Sequence, residues 1–267
     1  MKIPEDFNEL TQAAFHVAKE AGELLRSGYQ TDFEIIPKEM KNDVVTSFDF
    51  ASEQLILTRL KALFPKHSFL CEESGAAYHP EGSICWMIDP LDGTVNFAHH
   101  MPLFCVSIAA CQGDQVLCGV IYAPILQELF IAEKGRGAFL NKKRLHVSQT
   151  SSAEAAYIST SLSFNLHLHP DHSLDIFTKM AHLGSPLRAL GSTALNLAYV
   201  AAGRLDAYWS VGGSISPWDV AAGKILVEEA GGMLSQCNGE TYLMEESPSL
   251  LASNGKLHPT LIPYTSL

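Results

Sequence analysis

The chain has 267 residues, 47% of them hydrophobic and 18% charged, which suits one large domain or two small ones and excludes a disordered, solvating chain. Eighteen Lys and Arg against 29 Asp and Glu leave a net charge of −11. Such a balance argues against a general nucleic-acid binder and against docking on an anionic membrane, and an anionic ligand would have to be met by a metal ion or a local cluster of donors.

The N-terminus, MKIPEDFNEL, carries no apolar run of secretory type. Leu10, Ala13, Ala14, Val17, Ala18, Ala21, Leu24 and Leu25 recur at three and four and predict a helix that stops at Gly28. A second helix is predicted over Asp49–Phe64, with Leu55, Ile56, Leu60 and Leu63 on one side and Pro65 beyond its end. Strand-like runs follow at His67–Cys71, Ile84–Ile88, Phe104–Cys111, Val116–Tyr122 and Glu128–Ala132, the third and fourth forming a hairpin around Gly113-Asp114. The polar stretch Ser148–Ser152 marks a soft boundary near residue 150, or a loop joining two halves of one unit. Beyond it, strands at Ala156–Thr160, Leu187–Leu190, Asp206–Ser210 and Gly232–Ser235 are interspersed with helices over Ser173–Leu183, Ser192–Ala202 and Trp218–Ala230. The pattern predicts layered sheets with helices between and outside them. Stretches free of Asp, Glu, Lys, Arg and His, such as Met101–Gly113 and Ala189–Gly203, fall short of the roughly 18 residues a spanning helix needs. Cys71, Cys85, Cys105, Cys111, Cys118 and Cys237 form no C-x-x-C pair and mostly sit in apolar runs, which predicts reduced, buried thiols in a cytoplasmic protein.

The chemistry concentrates in Trp86-Met-Ile-Asp89-Pro90-Leu91-Asp92-Gly93-Thr94-Val-Asn-Phe97. An apolar strand is expected to end at Asp89, stopped by Pro90, with Asp92 three residues on and Gly93 allowing close backbone approach. Thr94 is placed to open a helix whose N–H groups point outward. Two carboxylates with a carbonyl between them suit a hard divalent cation, and a helix start suits phosphate; an Asx turn with an Asp cap is the plainer alternative. Glu72-Glu73 ends the preceding strand, Trp218-Asp219 opens a helix running to Glu228-Glu229, and Asp43 and Asp49 flank Val44-Val45-Thr46. Carboxylates at strand ends and helix starts can converge at one end of a sheet. Two like charges about 4 Å apart repel by about 4 kcal/mol at an effective dielectric near 20, a penalty that divalent cations reverse.

The run Asp43-Val44-Val45-Thr46 through Asp49, then Glu72-Glu73-Ser74, then Asp89 to Phe97, then Trp218-Asp219-Val-Ala-Ala-Gly223, resembles the inositol monophosphatase family over nearly the whole chain. Lys134-Gly-Arg-Gly-Ala-Phe139, Gly191-Ser192-Thr193-Ala194 and the LNLAYVAAGRLDAY run extend the likeness toward its bacterial branch. The resemblance implies an α+β fold, a layered α-β-α-β-α sandwich of the inositol monophosphatase and fructose-1,6-bisphosphatase type. It implies a Mg²⁺-dependent phosphomonoesterase with two or three Mg²⁺ per site, a homodimer and inhibition by lithium. Residues 1–150 would be an N-terminal α+β half carrying most ligands. Residues 151–267 would be a C-terminal α/β half carrying Asp219 and the substrate loops, the two making one compact catalytic unit. By the same resemblance Glu72, Asp89 and the Leu91 carbonyl hold one metal, Asp89, Asp92 and Asp219 a second, and Glu72 shares a third. Thr94, oriented by Asp49, helps Glu72 deprotonate the attacking water, and Lys38 (or its neighbour Lys41) lies near the metals. Asp92, Gly93, Thr94, Gly191, Ser192, Thr193 and Ser210 are the expected phosphate and substrate contacts.

Two positions depart from the family pattern. Cys71 stands where a Gly usually precedes the Glu pair. Ser210 stands where inositol-preferring members place a Glu that binds substrate hydroxyls, and the loop before Trp218 is about two residues longer. Inositol 1-phosphate is the leading substrate; fructose 1,6-bisphosphate, a nucleotide 3′-phosphate, NADP and histidinol phosphate stay open, as does a regulatory protein that binds a macromolecular partner. The His167, His169 and His172 cluster reads as a loop near the substrate rather than a zinc site, and His99-His100 as a turn. Gly135-x-Gly137 reads as a hairpin turn, and Tyr208-Trp209 as sheet core rather than a base-stacking platform.

Overall fold

The computed structural model describes residues 7–37, 44–78, 83–162 and 170–266. Helix α1 (Glu9–Gly28) is capped by the Asn8 side chain. The two-stranded antiparallel ribbon of β1 (Ile35–Pro37) and β2 (Val44–Thr46) leads into α2 (Ser47–Leu63). There follow β3 (Ser68–Cys71), β4 (Gly75–Ala77), β5 (Cys85–Asp92), the short α3 (Thr94–Ala98), β6 (Cys105–Gln112), β7 (Gln115–Ala123), β8 (Glu128–Glu133), β9 (Gly137–Leu140) and β10 (Lys143–Arg144). These strands form an eight-stranded sheet in the order β10-β9-β8-β7-β6-β5-β3-β4, antiparallel except where β3 runs parallel to β5. The chain continues through β11 (Ile158–Leu162), α4 (Pro170–His182), β12 (Leu187–Arg188), α5 (Thr193–Ala201), β13 (Ala207–Ile215), α6 (Pro217–Glu229), β14 (Met233–Ser235), β15 (Ser247–Ser253) and α7 (His258–Thr265). The second sheet has the order β12-β11-β13-β15-β14.

Both sheets are covered on both faces, which is why their strands read as apolar runs rather than clean alternations. Trp86, Ile88, Val106, Ile108 and Val120 pack under α1 and α2. Met87, Ala109, Cys111 and Ile121 point the other way, onto α5 and α6, which also cover Tyr208, Leu250 and Ala252 of the smaller sheet. The far face of that sheet, with Trp209, Val211 and Leu251, packs on Ile176 of α4 and Leu261 of α7. The order is therefore α-β-α-β-α, as the resemblance implied. The middle helix layer fits because Gly119 on β7 leaves room for α6: a Cβ there would lie 2.7 Å from the Ala222 Cα.

Several sequence expectations shift. Helix α2 starts at Ser47, with Thr46 as its cap, and its buried side is Asp49, Ser52, Glu53, Ile56 and Leu60, while Leu63 is 56% exposed. The expected apolar side is thus rotated toward polar residues that serve the site. The strand expected to end at Asp89 runs to Asp92, because Pro90 lies in a bulge where no ladder N–H is required. The strand over Leu187–Leu190 shortens to Leu187–Arg188. Strands β1, β2, β4, β9, β10 and β15 and helix α7 were not anticipated. Five of the six cysteines are buried and all are unpaired. No helix among the described residues is long and apolar enough to cross a membrane.

Candidate active site

Pairing of β5 with β6 matches Asp89 to Ser107 and Asp92 to Cys105, three steps on one strand against two on the other. The extra residue makes a bulge, which re-aims side chains at a sheet rim. The Leu91 N–H donates to Asp89 Oδ1 at 3.0 Å, closing a tight Asx-type turn. Gly93 then turns the chain with φ 92°, and a Cβ there would meet the Leu103 carbonyl at 2.8 Å. The chain thereby enters α3 at Thr94. The Thr94 hydroxyl lies 3.0 Å from Asp49 Oδ1 and 2.9 Å from the Leu91 carbonyl. With one proton it donates to one of them at a time.

Asp49 and Asp219 have the same local origin. Each is the third residue of a helix whose N-cap backbone N–H it accepts, a capping box. Asp49 Oδ2 takes the Thr46 N–H at 2.7 Å and the Thr46 hydroxyl at 2.6 Å. Asp219 Oδ2 takes the Ser216 N–H at 3.0 Å. Burial pushes the Asp49 carboxyl up to about 7 against these hydrogen bonds, with the Glu73 charge adding to the rise. Burial also drives Asp89, 2% exposed, well above the usual carboxylate range, and the charges of Glu72, Asp92 and Asp219 push it the same way.

Asp92 ties the two sheets' helix layer to the bulge. Its Oδ2 accepts from the Ser192 hydroxyl and the Ala194 N–H, both at 2.6 Å, and its Oδ1 from the Thr193 N–H at 3.2 Å. Burial raises its pKa while these donors oppose the rise. Of the expected substrate contacts, Ser192 and Thr193 thus meet Asp92 directly, and Gly191 passes over Asn96 with φ 72°. The Thr193 hydroxyl lies 3.2 Å from the Tyr208 hydroxyl, which donates to Ser161 at 2.8 Å and is reached by Ser210. Glu72 is half-buried in the turn after β3, its N–H donating to the Ile88 carbonyl at 3.2 Å.

Among the described residues, no three His, Cys, Asp or Glu side chains already form a closed metal clasp. Asp92 is turned onto the α5 start, Asp219 spends an oxygen on its own cap, and the acids repel one another. The donor chemistry nevertheless fits a hard cation: all the groups are oxygens, and they raise the proton affinity of one buried carboxylate, a penalty that a divalent charge would remove. Lys38, Lys41, Asp43, His167 and His169 lie outside the described residues, and so does the side chain of His172. His100 sits in the turn after α3, its ring against Tyr29 and Phe33. Gly135 and Gly137 turn the β8–β9 hairpin and donate their N–H groups to Glu229, each at 2.7 Å. Tyr208 and Trp209 are fully buried sheet core. Sequence reasoning missed the Ala194 N–H, the Ser52 hydroxyl and the Glu53 carboxylate; only the Ser/Thr signal of the α5 cap pointed toward the first.

The inositol monophosphatase family profile matches residues 6–266. The inositol-1-monophosphatase of Synechocystis sp. is 38% identical over 258 residues, covering 97% of this chain and 89% of that protein. The Nus factor SuhB of Pseudomonas aeruginosa is 40% identical, covering 93% of each chain. The solved inositol monophosphatase of Anabaena (Nostoc) sp. superposes with a TM-score of 0.85 at 38% identity, covering 95% of this chain and 94% of that one.

Proposed function

The chain belongs to the inositol monophosphatase family and is a metal-dependent phosphoric monoester hydrolase; on that premise we propose that it uses Mg²⁺ to hydrolyse a small phosphate monoester, inositol 1-phosphate foremost. In this reading Glu72, Asp89, the Leu91 carbonyl, Asp92 and Asp219 hold two or three Mg²⁺. When bound, Mg²⁺ supplies positive charge for the phosphate oxygens and lowers the pKa of a nearby water.

The chain's own residues do the rest. Asp49, held by Thr46, accepts a hydrogen bond from the Thr94 hydroxyl, which orients a Thr94 lone pair toward the attacking water. Glu72 takes that water's proton, and Lys38 adds charge near the metals. The Gly93 and Thr94 N–H groups receive phosphate oxygens. Asp92, fixed by three donors of α5, keeps the substrate side in register with the bulge. Water adds to phosphorus as the ester P–O bond breaks, and the leaving oxygen takes up a proton. No covalent enzyme intermediate is needed; the protein supplies position and charge.

The observation that carries this reading is the Thr94 hydroxyl set between Asp49 and the Leu91 carbonyl, beside a bulge that projects two buried acids. The test is phosphate release from inositol 1-phosphate, fructose 1,6-bisphosphate, a nucleotide 3′-phosphate, NADP and histidinol phosphate, with Mg²⁺ and with chelator. Thr94→Ala should lower kcat about 100-fold with KM little changed, and near-normal turnover would remove the dyad. The reading includes a homodimer, lithium inhibition and a cytoplasmic setting.

Relatives named Nus factor SuhB at 36–40% identity support a second reading, a macromolecular partner. Its test is partner capture at low Mg²⁺ by the wild type and by Asp92→Asn.

A further inference from the structure

Two buried polar side chains of α2 have no part in the scheme above. Ser52 is fully buried and Glu53 is 4% exposed. They follow Asp49 by three and four residues and so share its helix face. The Ser52 hydroxyl donates to the Pro90 carbonyl at 2.8 Å. Glu53 Oε2 accepts the Glu73 N–H at 3.0 Å. Burying a carboxylate is costly unless it is hydrogen-bonded, and an apolar side chain on this face would serve packing better. The helix thus reaches three separate segments of the site: Thr94 through Asp49, the Asp89–Leu91 bulge through Ser52, and the Glu72 turn through Glu53.

The Glu72 turn shows why this matters. The Glu72 N–H is tied to Ile88 of β5, and the next N–H is tied to Glu53. The peptides on both sides of Glu72 are therefore fixed, one to the strand that carries Asp89 and the other to α2. Pro90, between Asp89 and Leu91, is held by the same helix one residue earlier. We propose that Ser52 and Glu53 are positioning residues, with α2 setting the spacing between the Glu72 turn and the Asp89–Asp92 bulge so that their oxygens meet one divalent cation. The proposal rests on the reading of Glu72 and Asp89 as metal ligands.

The test uses the full chain, stripped with chelator and titrated calorimetrically with MnCl₂, beside phosphate release in MgCl₂. Glu53→Gln keeps an acceptor for the Glu73 N–H and should hold Mn²⁺ affinity within about threefold of wild type. Glu53→Leu and Ser52→Ala should each weaken Mn²⁺ about tenfold or more and lower kcat with KM little changed; factors of this size follow loss of outer-shell support at metal sites. Wild-type affinity in Glu53→Leu, with only stability lost, would overturn the proposal. So would Glu53→Gln behaving as badly as Glu53→Leu, because charge and not the acceptor would then be what counts. Should Glu53→Leu fail to fold, Glu53→Asp decides: it is one methylene short and must bind Mn²⁺ more weakly than Glu53→Gln, and equal binding refutes the role. A wild-type chain that neither binds Mn²⁺ nor releases phosphate removes the underlying reading and the proposal with it. Wild-type binding shared by every variant removes the proposal alone.

Discussion

Asp49→Asn separates what the site costs the fold from what it gives the reaction. The buried Asp49 carboxyl is pushed up from 3.8 to about 7. At about 1.4 kcal/mol per pH unit, that rise is roughly 4 kcal/mol of stability forgone above pH 7. The sign follows from proton binding. In the unfolded chain Asp49 ionises near 3.8, whereas the folded chain keeps its proton to about 7. Between those values the folded state binds the extra proton, so stability falls as pH rises and levels off above about 7. Asparagine does not titrate, so the other carboxylates cancel to first order when variant and wild type are compared.

The variant should therefore gain on the wild type by about 2 kcal/mol between about pH 5.5 and about pH 8.5. For a chain of this size that is about 4–8 °C in Tm. The assay is thermal unfolding of both proteins in chelator at the two pH values. Turnover should move the other way. Thr46 presents two donors to one oxygen of Asp49, so the Asn carbonyl must face Thr46 and its NH₂ must face Thr94. The Thr94 hydroxyl then donates to the Leu91 carbonyl and receives the amide; a lone pair still faces the water, but no anionic acceptor enriches it, and kcat should fall about 100-fold. A Tm difference that is the same at both pH values, or that shrinks as pH rises, would refute the burial argument.

Asp92→Asn should lower kcat by at least about 100-fold while the chain stays folded, since an amide must set a donor against one of the three donors of α5; near-normal phosphate release would end its role as a ligand. Gly119→Ala places a Cβ 2.7 Å from the Ala222 Cα and should cost about 1–3 kcal/mol, read as a lower urea midpoint, and an unchanged midpoint would contradict the close approach of α6 to β7. MgCl₂ at a hundred times its dissociation constant should add about 2.7 kcal/mol to stability. Because a cation must displace the proton that Asp89 retains above the usual range, the Mg²⁺-induced Tm shift should grow as pH rises; a shift independent of pH would argue that Asp89 is not a ligand.

The Asp89–Thr94 segment was legible because its chemistry is local. A strand, a Pro that withdraws a donor, a Gly at φ 92° and a Thr at a helix start are all written in consecutive residues. The layering of sheets and helices was legible for a different reason, although its five-layer order was implied only by the family resemblance. Both sheets are buried on both faces, so their strands stand out as apolar runs even where pairing order cannot be read. The strand β15 was not legible: Ser247–Ser253 carries three serines and a Pro, and only its position between β13 and β14 makes it a strand.

Helix α2 is the instructive failure. Apolar spacing selected Leu55, Ile56, Leu60 and Leu63, yet the helix buries Asp49, Ser52 and Glu53 with Ile56 and Leu60 and leaves Leu63 in solvent. Periodicity locates a core-facing stripe only when burial is driven by apolar area. Here the first turn and a half of the stripe faces backbone N–H and C=O groups of two turns, and those groups require polar partners when buried. The polar residues are therefore on the inside because the turns are, and the turns are inside because they carry the acids. A helix whose buried face changes from polar to apolar along its length is thus supporting a site at one end and a core at the other. That is a pattern readable in sequence once the expectation of a uniformly apolar face is given up.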